Sequence, residues 1–302
     1  MTLRLRIVLL VATALAPMAI CAVVAALLLL DQERSVMERG ATGRARSAMS
    51  AVDAHLRGTI LGLETLAASK NLESGDIAAF HAESQRVLRG QPAWVNIGLA
   101  SAAKREQLFN AVYALGRPEP FGLDDDSFDA VLKGAKVAFG NVLSGTAVRN
   151  PTARVRIGVS YGNELRYVLS APLNMKQLAD VLQAQKLPDG WMIALIDRNQ
   201  HVIAAQPPVP TGTPALDELR KAIERSPEGW MRIDGAEGPA MYSAHVTSDL
   251  SGWVLAIGVP PAYVEAGARR SLTILAAGVL SALLLGILLA WVVARSTSDA
   301  RA

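Results

Sequence analysis

The stretch 153–172, ARVRIGVSYGNELRYVLSAP, decides how this sequence folds. Its first half alternates arginine or small residues with valine and isoleucine, and its second half is rich in β-branched and aromatic residues, as is typical of strands. Between the halves lies Tyr-Gly-Asn-Glu, in which Gly162 and Asn163 are predicted to supply the positive φ of a tight turn. The stretch therefore predicts an antiparallel hairpin, Ala153–Ser160 and Leu165–Pro172.

Helices and further strands surround this hairpin and predict two similar units in tandem. Upstream we predict a helix over 77–88, strands over 94–100 and 107–113, and a helix that begins at Asp126 or Ser127 and ends at Gly134. Downstream, a helix over 174–186 leads into predicted strands 191–197, 201–205, 229–234, 241–247 and 253–259, with a helix over 215–226. The fold class is therefore α+β, with tandem antiparallel-sheet units over 70–182 and 183–270.

The segment 31–69 predicts one long helix in front of both units. It lacks proline, is rich in Ala, Leu, Arg and Glu, and carries apolar residues at near-helical spacing. At 1.5 Å per residue such a helix reaches about 57 Å. We interpret it as a stalk that also packs against the sheets.

Two uncharged apolar segments flank this part of the chain. Residues 7–30 and 271–294 each contain enough apolar residues to cross a hydrocarbon core of about 30 Å. A cleaved signal peptide is the alternative for the first segment, but its apolar run is long and no small-residue cleavage site follows it. We therefore predict two transmembrane helices.

Basic residues in the two tails predict the orientation. Arg4 and Arg6 lie in the tail 1–6, and Arg295 and Arg301 in the tail 295–302. Because short cytoplasmic segments carry an excess of Lys and Arg, both tails are expected in the cytoplasm. The protein is thus predicted to be a two-pass protein of the inner membrane, with residues 31–270 in the periplasm or outside the cell.

Composition and motifs argue against several classes of function. A net charge of +3 without a dense basic run does not indicate nucleic-acid binding. The four histidines lie far apart without a zinc-binding pattern, and the acidic run 124–126 lacks a calcium-loop spacing. Nucleotide-binding and nucleophile-elbow motifs are missing from the sequence. We expect no metal, no cofactor and no catalytic residue in this chain.

The order of parts resembles the double Cache sensor region of bacterial transmembrane receptors. The stretches QPAWVNIGLA (91–100), RYVLSAPLN (166–174), LPDGWMIALIDRNQHVIAA (187–205) and SGWVLAIGVP (251–260) look most like the sensor halves of membrane histidine kinases. The resemblance implies two PAS-like units, a small ligand bound in the membrane-distal unit and a cytoplasmic output. The Arg-x-Trp-Tyr run by which some members bind amino acids is not met, because Pro92 and Val95 stand in those places.

Strand alternation selects candidate ligand-binding residues in the distal unit. Val95, Ile97 and Leu99 are predicted to share one face with Val155, Ile157 and Val159, against the stalk. The opposite face would then form a pocket lined by Trp94, Asn96, Arg154 and Arg156, with either Arg166 or Tyr167 from the next strand. Arginines beside an aromatic and an amide suit a small anion, since guanidinium binds carboxylate through two parallel hydrogen bonds. The alternative is an ordinary solvated sheet face.

The predicted output lies outside the chain. All four histidines fall between the predicted spans, so no phospho-acceptor histidine is available in a cytoplasmic part. We expect a homodimer that passes its signal through the second span to a kinase or another output module, in cis or in trans. The rival hypotheses are a membrane-anchored scaffold or adaptor that acts through protein partners, and an extracytoplasmic enzyme.

Overall fold

The computed structural model describes residues 3–116, 125–142, 151–234 and 240–265, together with 273–288 except 275, 279 and 283. The chain divides into two compact units. One contains both ends of the chain, 1–40 and 260–302, and the other contains residues 41–259. The tails 1–2 and 289–302 lie outside the described residues, as do parts of the second predicted span.

The predicted long helix is present as α1. It runs from Leu3 to Ala67, so the stalk helix is continuous with the segment predicted to cross the membrane. Within residues 41–67 its buried side chains recur every three or four positions and form one stripe: Ala41, Ala45, Ala48, Val52, Leu56 and Leu63. This spacing places the stripe on one side of the helix, where it packs into the core.

Five further helices and ten strands follow α1. The helices are α2 (Lys70–Glu73), α3 (Ile77–Arg89), α4 (Asp125–Leu132), α5 (Met175–Gln183) and α6 (Asp217–Arg225). The strands of the first sheet are β1 (Gly98–Ser101), β2 (Glu106–Asn110), β3 (Val137–Phe139), β4 (Arg154–Tyr161) and β5 (Glu164–Pro172). Those of the second sheet are β6 (Met192–Ile196), β7 (Val202–Gln206), β8 (Glu228–Ile233), β9 (Met241–Thr247) and β10 (Val254–Val259).

Both sheets are antiparallel, have five strands and share one topology. The orders are β2-β1-β5-β4-β3 and β7-β6-β10-β9-β8, so each sheet places its first and last strands side by side in the centre. The hairpin predicted from 153–172 is formed by β4 and β5. Gly162 in its turn has a φ of 63°, whereas the positive φ predicted for Asn163 is not found. Two antiparallel-sheet units behind a long helix agree with the predicted α+β class.

Among the residues that the structure describes, no helix is both long and apolar enough to cross a membrane. The two flanking spans and the exact boundaries between the sheet units stay predictions.

Candidate ligand site

The register of the first sheet sorts its side chains onto two faces. Leu99, Ile157 and Leu169 are paired across neighbouring strands and lie on one face. Phe109, paired with Leu99, meets Phe80 of α3 with ring centroids 5.8 Å apart, so we call this the α3 face. The opposite face is covered by α4, whose Phe128 and Val131 pack with strand residues Ala100, Ala138 and Val168. We call it the α4 face.

Arg156 is the central charged group of the α4 face. It lies on β4 opposite Ser170 of β5 and Ala138 of β3, and it is fully buried. Its Nε donates to the Ser170 hydroxyl at 3.2 Å and its Nη1 to the Ser127 hydroxyl of α4 at 2.9 Å. The guanidinium also lies 5.6 Å from the centre of the Phe128 ring. A positive charge is therefore held between the sheet and the helix that covers it.

The other two predicted arginines lie at opposite ends of the β4–β5 hairpin. Arg154 begins β4 and is half-buried, and its carbonyl accepts a hydrogen bond from Gly140 at 2.7 Å. Arg166 lies near the exposed end of β5, where its side chain is 46% exposed and lies 3.6 Å from Glu164. Its guanidinium is 5.5 Å from the ring centre of Tyr161, whose pKa is raised chiefly by burial. The structure thus brings Arg154 and Arg156 together and leaves Arg166 at the surface.

The predicted pocket-face position of Trp94 is wrong. Its indole packs against α1: Nε1 donates to the Thr59 hydroxyl at 3.1 Å, and a Cβ built on Gly62 would lie 2.9 Å from the ring. The reason is that β1 begins only at Gly98, so strand alternation cannot be extended back to Trp94. For the same reason Val95, predicted to be buried with Leu99, is 45% exposed.

Asn96 and Tyr167 also depart from the predicted arrangement. Asn96 precedes β1, and its side-chain oxygen accepts a hydrogen bond from the Ile97 amide at 2.7 Å. Tyr167 is paired with Val159 and therefore lies on the α3 face, whereas Arg166 falls at a register shift of the β4–β5 ladder, where strand alternation does not assign it to a face. The buried positions predicted for Ile97, Leu99, Val155, Ile157 and Val159 are confirmed.

A short segment connects the α4 face to the second sheet. β3 pairs with β4 through Ala138 and Arg156, and the chain continues from Phe139 to Val142. The Val142 amide donates to Oδ2 of Asp197 at 2.7 Å, and Arg198 donates to the Phe139 carbonyl. The ring of Phe139 also meets that of Trp253 edge to face, with centroids 6.1 Å apart. We call these contacts of 139–142 with Asp197, Arg198 and Trp253 the joint.

Asp197 anchors the joint on the second sheet. It follows β6 and is 1% exposed, and its second oxygen, Oδ1, accepts the His201 amide at 2.9 Å. The carboxylate thus binds one amide from each sheet unit. No sequence pattern around 139–142 predicted this contact with the second unit. The sequence also did not predict the roles of Asp197 and Ser127, because an aspartate in a turn and a serine at a helix start are common for local structural reasons.

The chain has the fold of the double Cache extracellular sensor domains of histidine kinases and chemoreceptors. Similar solved structures include the extracellular domain of the histidine kinase rpHK1S-Z16, with a TM-score of 0.63, 13% identity, and coverage of 75% of this chain and 95% of that chain. No family model and no curated protein matches the sequence.

Two chemoreceptor domains with bound amino acids have the same fold. The PctB ligand-binding domain of Pseudomonas aeruginosa, in complex with L-Gln, has a TM-score of 0.58 at 14% identity and covers 75% of this chain and 92% of its own. The CtaA domain of Pseudomonas fluorescens, in complex with L-isoleucine, has a TM-score of 0.54 at 14% identity and covers 78% and 95%. The structural likeness therefore extends over both sheet units.

Proposed function

We propose that this chain is the sensing part of a two-pass transmembrane receptor and binds a small carboxylate on the α4 face of the first sheet. The observation that carries the proposal is the fully buried guanidinium of Arg156 between the sheet and α4. Burial strengthens the attraction between this guanidinium and an anion, because charges interact more strongly away from bulk water. A carboxylate matches the guanidinium in shape as well, because it accepts two parallel hydrogen bonds from the planar fork.

Arg154 and the fold add to this argument. Arg154 lies two residues away on the same side of β4, so a ligand on this face meets two positive charges. The neighbouring chemoreceptor domains hold L-Gln and L-isoleucine, both of which carry a carboxylate. Because Pro92 and Val95 replace the amino-acid-binding run, the ligand proposed for this chain is a small carboxylate rather than an amino acid.

The joint is the proposed route of the signal. A ligand that draws Arg156 and β3 together displaces segment 139–142. This movement pulls on Asp197 and Arg198 of the second unit, which bind the Val142 amide and the Phe139 carbonyl. The last strand, β10, ends at Val259 and is followed after a short segment by the predicted span 271–294. We propose that a homodimer with two pre-existing states passes this displacement through that span to a cytoplasmic output module, in cis or in trans.

The test is calorimetric titration of the full chain in detergent micelles. The probes are acetate, L-lactate, succinate, L-glutamine and L-isoleucine. Arg156→Lys keeps the charge but removes the fork, and Arg154→Ala removes the neighbouring charge. We expect each variant to raise the dissociation constant of the carboxylate by roughly 10- to 100-fold, the effect of losing a charge-assisted hydrogen bond.

The matched control is Arg166→Ala, which removes an exposed arginine near the turn of the same hairpin. It is expected to change the dissociation constant less than about twofold, as surface charges do. A carboxylate that binds wild type, Arg156→Lys and Arg154→Ala equally would refute the proposed site. If none of the probes binds wild type, the scaffold hypothesis becomes the better account.

A further inference from the structure

The second sheet unit contains a cavity of about 200 Å³ on the side of the sheet that faces α6. Its floor is the sheet, and its walls are α6 and the proline-rich segment 206–216. The cavity is partly open to solvent. Folded cores contain few voids larger than a water molecule, so an opening of this size in a core calls for an explanation.

Small side chains in the central strands create the space. Ala256 of β10 is paired with Ala194 of β6, and Gly258 with Ser243 of β9. Larger side chains fill the surrounding positions, and a Cβ built on Gly258 would lie 2.8 Å from the Met241 sulfur. α6 covers only part of this floor through a cluster that includes Leu219 and Ile196. The sequence thus places its smallest residues on the floor of the cavity.

The chemistry of the walls selects an uncharged occupant. Among the described residues that line the cavity none is charged, and the polar side chains are those of Gln206, Thr213 and Ser243. The Thr213 hydroxyl already donates to the Pro210 carbonyl at 2.7 Å. An ion would lose its hydration here without a countercharge, so an anion or cation is disfavoured.

Ser243 supplies one polar contact. The residue is 2% exposed and lines the cavity. A polar group that enters an apolar cavity loses its hydrogen bonds to water unless it finds a partner there. An occupant with one hydroxyl or carbonyl group would find that partner in the Ser243 hydroxyl while its apolar part fills the remaining space.

The volume sets the size of the occupant. An apolar protein cavity of about 150 Å³ stays dry and binds benzene. A cavity of about 200 Å³ therefore fits a single ring with one small substituent.

We propose that the second sheet unit is a separate ligand site for a small, uncharged, ring-sized molecule that carries one hydroxyl or carbonyl group. The site does not depend on the carboxylate site of the first unit, since its lining comes entirely from residues 192–258. The chain would then respond to two chemically different ligands.

The test uses the full chain and three probes of equal ring size: benzyl alcohol, toluene and benzoate. The ε-methyl groups of Met192 and Met241, both in the cavity lining, are observed by NMR after ¹³C labelling of the methionines. Benzyl alcohol and toluene are expected to shift these two methyl signals in a saturable way, and benzoate is not. Saturable binding of benzoate, or no shift at either methyl with the two uncharged probes, would overturn the proposal.

Two variants locate the site. Ala256→Leu fills the cavity and should abolish the binding of both uncharged probes, whereas Ala184→Leu, on an exposed residue at the end of α5, should not. Ser243→Ala should weaken the binding of benzyl alcohol by roughly three- to tenfold and that of toluene by less than about twofold.

The two sites can fail separately. Arg156→Lys should leave benzyl alcohol binding unchanged. If benzyl alcohol binds wild type but no carboxylate does, or if Arg156→Lys binds the carboxylate as tightly as wild type, only the first site is refuted. Equal affinity of wild type and Ser243→Ala for benzyl alcohol would overturn the role given to the hydroxyl. Undiminished binding to folded Ala256→Leu would overturn the cavity as the site.

Discussion

Replacing Asp197 should open the joint between the two sheet units. Its carboxylate accepts the Val142 amide at 2.7 Å and the His201 amide at 2.9 Å, and Val142 is only 4% exposed. Asp197→Ala removes both acceptors. A buried donor without a partner costs about 1–3 kcal/mol, and water can reach the half-buried His201 more easily, so we expect a loss of about 2–4 kcal/mol. Asp197→Asn keeps one acceptor oxygen, so its loss of stability should be about half that of Asp197→Ala.

Hydrogen–deuterium exchange of the full chain measures the effect where it arises. If the free energy of local opening falls by about 2–4 kcal/mol, the protected amides in 137–142 should exchange roughly 30- to 1000-fold faster. The hairpin strand 154–161 serves as an internal reference, because its amides are held by the β4–β5 and β3–β4 ladders. Asp180→Asn is the matched control, since Asp180 is a partly exposed partner of Lys176 at 3.1 Å.

The prediction is specific enough to be refuted. Asp180→Asn should change exchange in 137–142 by less than about threefold, as expected for a surface pair. If Asp197→Ala changes that segment equally little, the carboxylate does not hold the two units together. In that case the proposed route of the signal through the joint loses its main contact.

Three further predictions concern α1 and its contacts. Gly62→Ala should lower the free energy of unfolding by about 1–2 kcal/mol, because the new Cβ would lie 2.9 Å from the packed indole ring. Gly58→Ala, with no atom within 4 Å, should instead raise it by about 0.5–1 kcal/mol through helix propensity, as measured by denaturant unfolding. Burial lowers the pKa of His55 below its ordinary 6.5, so the fold is most stable above that pH, where His55 is neutral, and loses stability as the pH falls below it. His55→Gln should therefore reduce the pH dependence of the unfolding midpoint in this range. The hydrogen bond from Arg46 lowers the pKa of Glu228 below 4.5, so the pair stabilises the fold above that pH and loses its effect as the pH falls through the lowered pKa. Glu228→Gln should remove this loss of stability in acid. High salt should weaken the pair in wild type.

The local pattern of the sequence predicts elements better than their partners. The hairpin 153–172 and the long helix were predicted because alternation and helical spacing are properties of neighbouring residues. The α4 face was assigned correctly for Arg154 and Arg156, since both lie inside a regular strand. Trp94 was assigned to the wrong face because the strand begins four residues later, at Gly98. No local pattern marks that the irregular backbone before Gly98 gives way to a strand only at that residue.

Contacts between distant parts of the chain could not be read from the sequence. The Asp197 carboxylate binds an amide 55 positions earlier in the chain, and the turn around it looks like any Asp-containing turn. The cavity depends on small residues from three strands that become neighbours only through the order β6-β10-β9. Both features arise from tertiary pairing, which single-sequence reasoning does not fix.

The two proposed sites act on the same pair of strands. Asp197 directly follows Ile196, which is paired with Val254, and the cavity residues Ala194 and Ala256 are paired further along the same β6–β10 ladder. A shift of the joint and the filling of the cavity therefore both bias this ladder, whose strand β10 is the last before residue 260. Thermodynamic linkage then requires reciprocity: the factor by which benzyl alcohol changes the affinity for a carboxylate must equal the factor by which the carboxylate changes the affinity for benzyl alcohol. Because Asp197 is the contact that joins the ladder to the first sheet, Asp197→Ala should bring this common factor towards one while both ligands still bind.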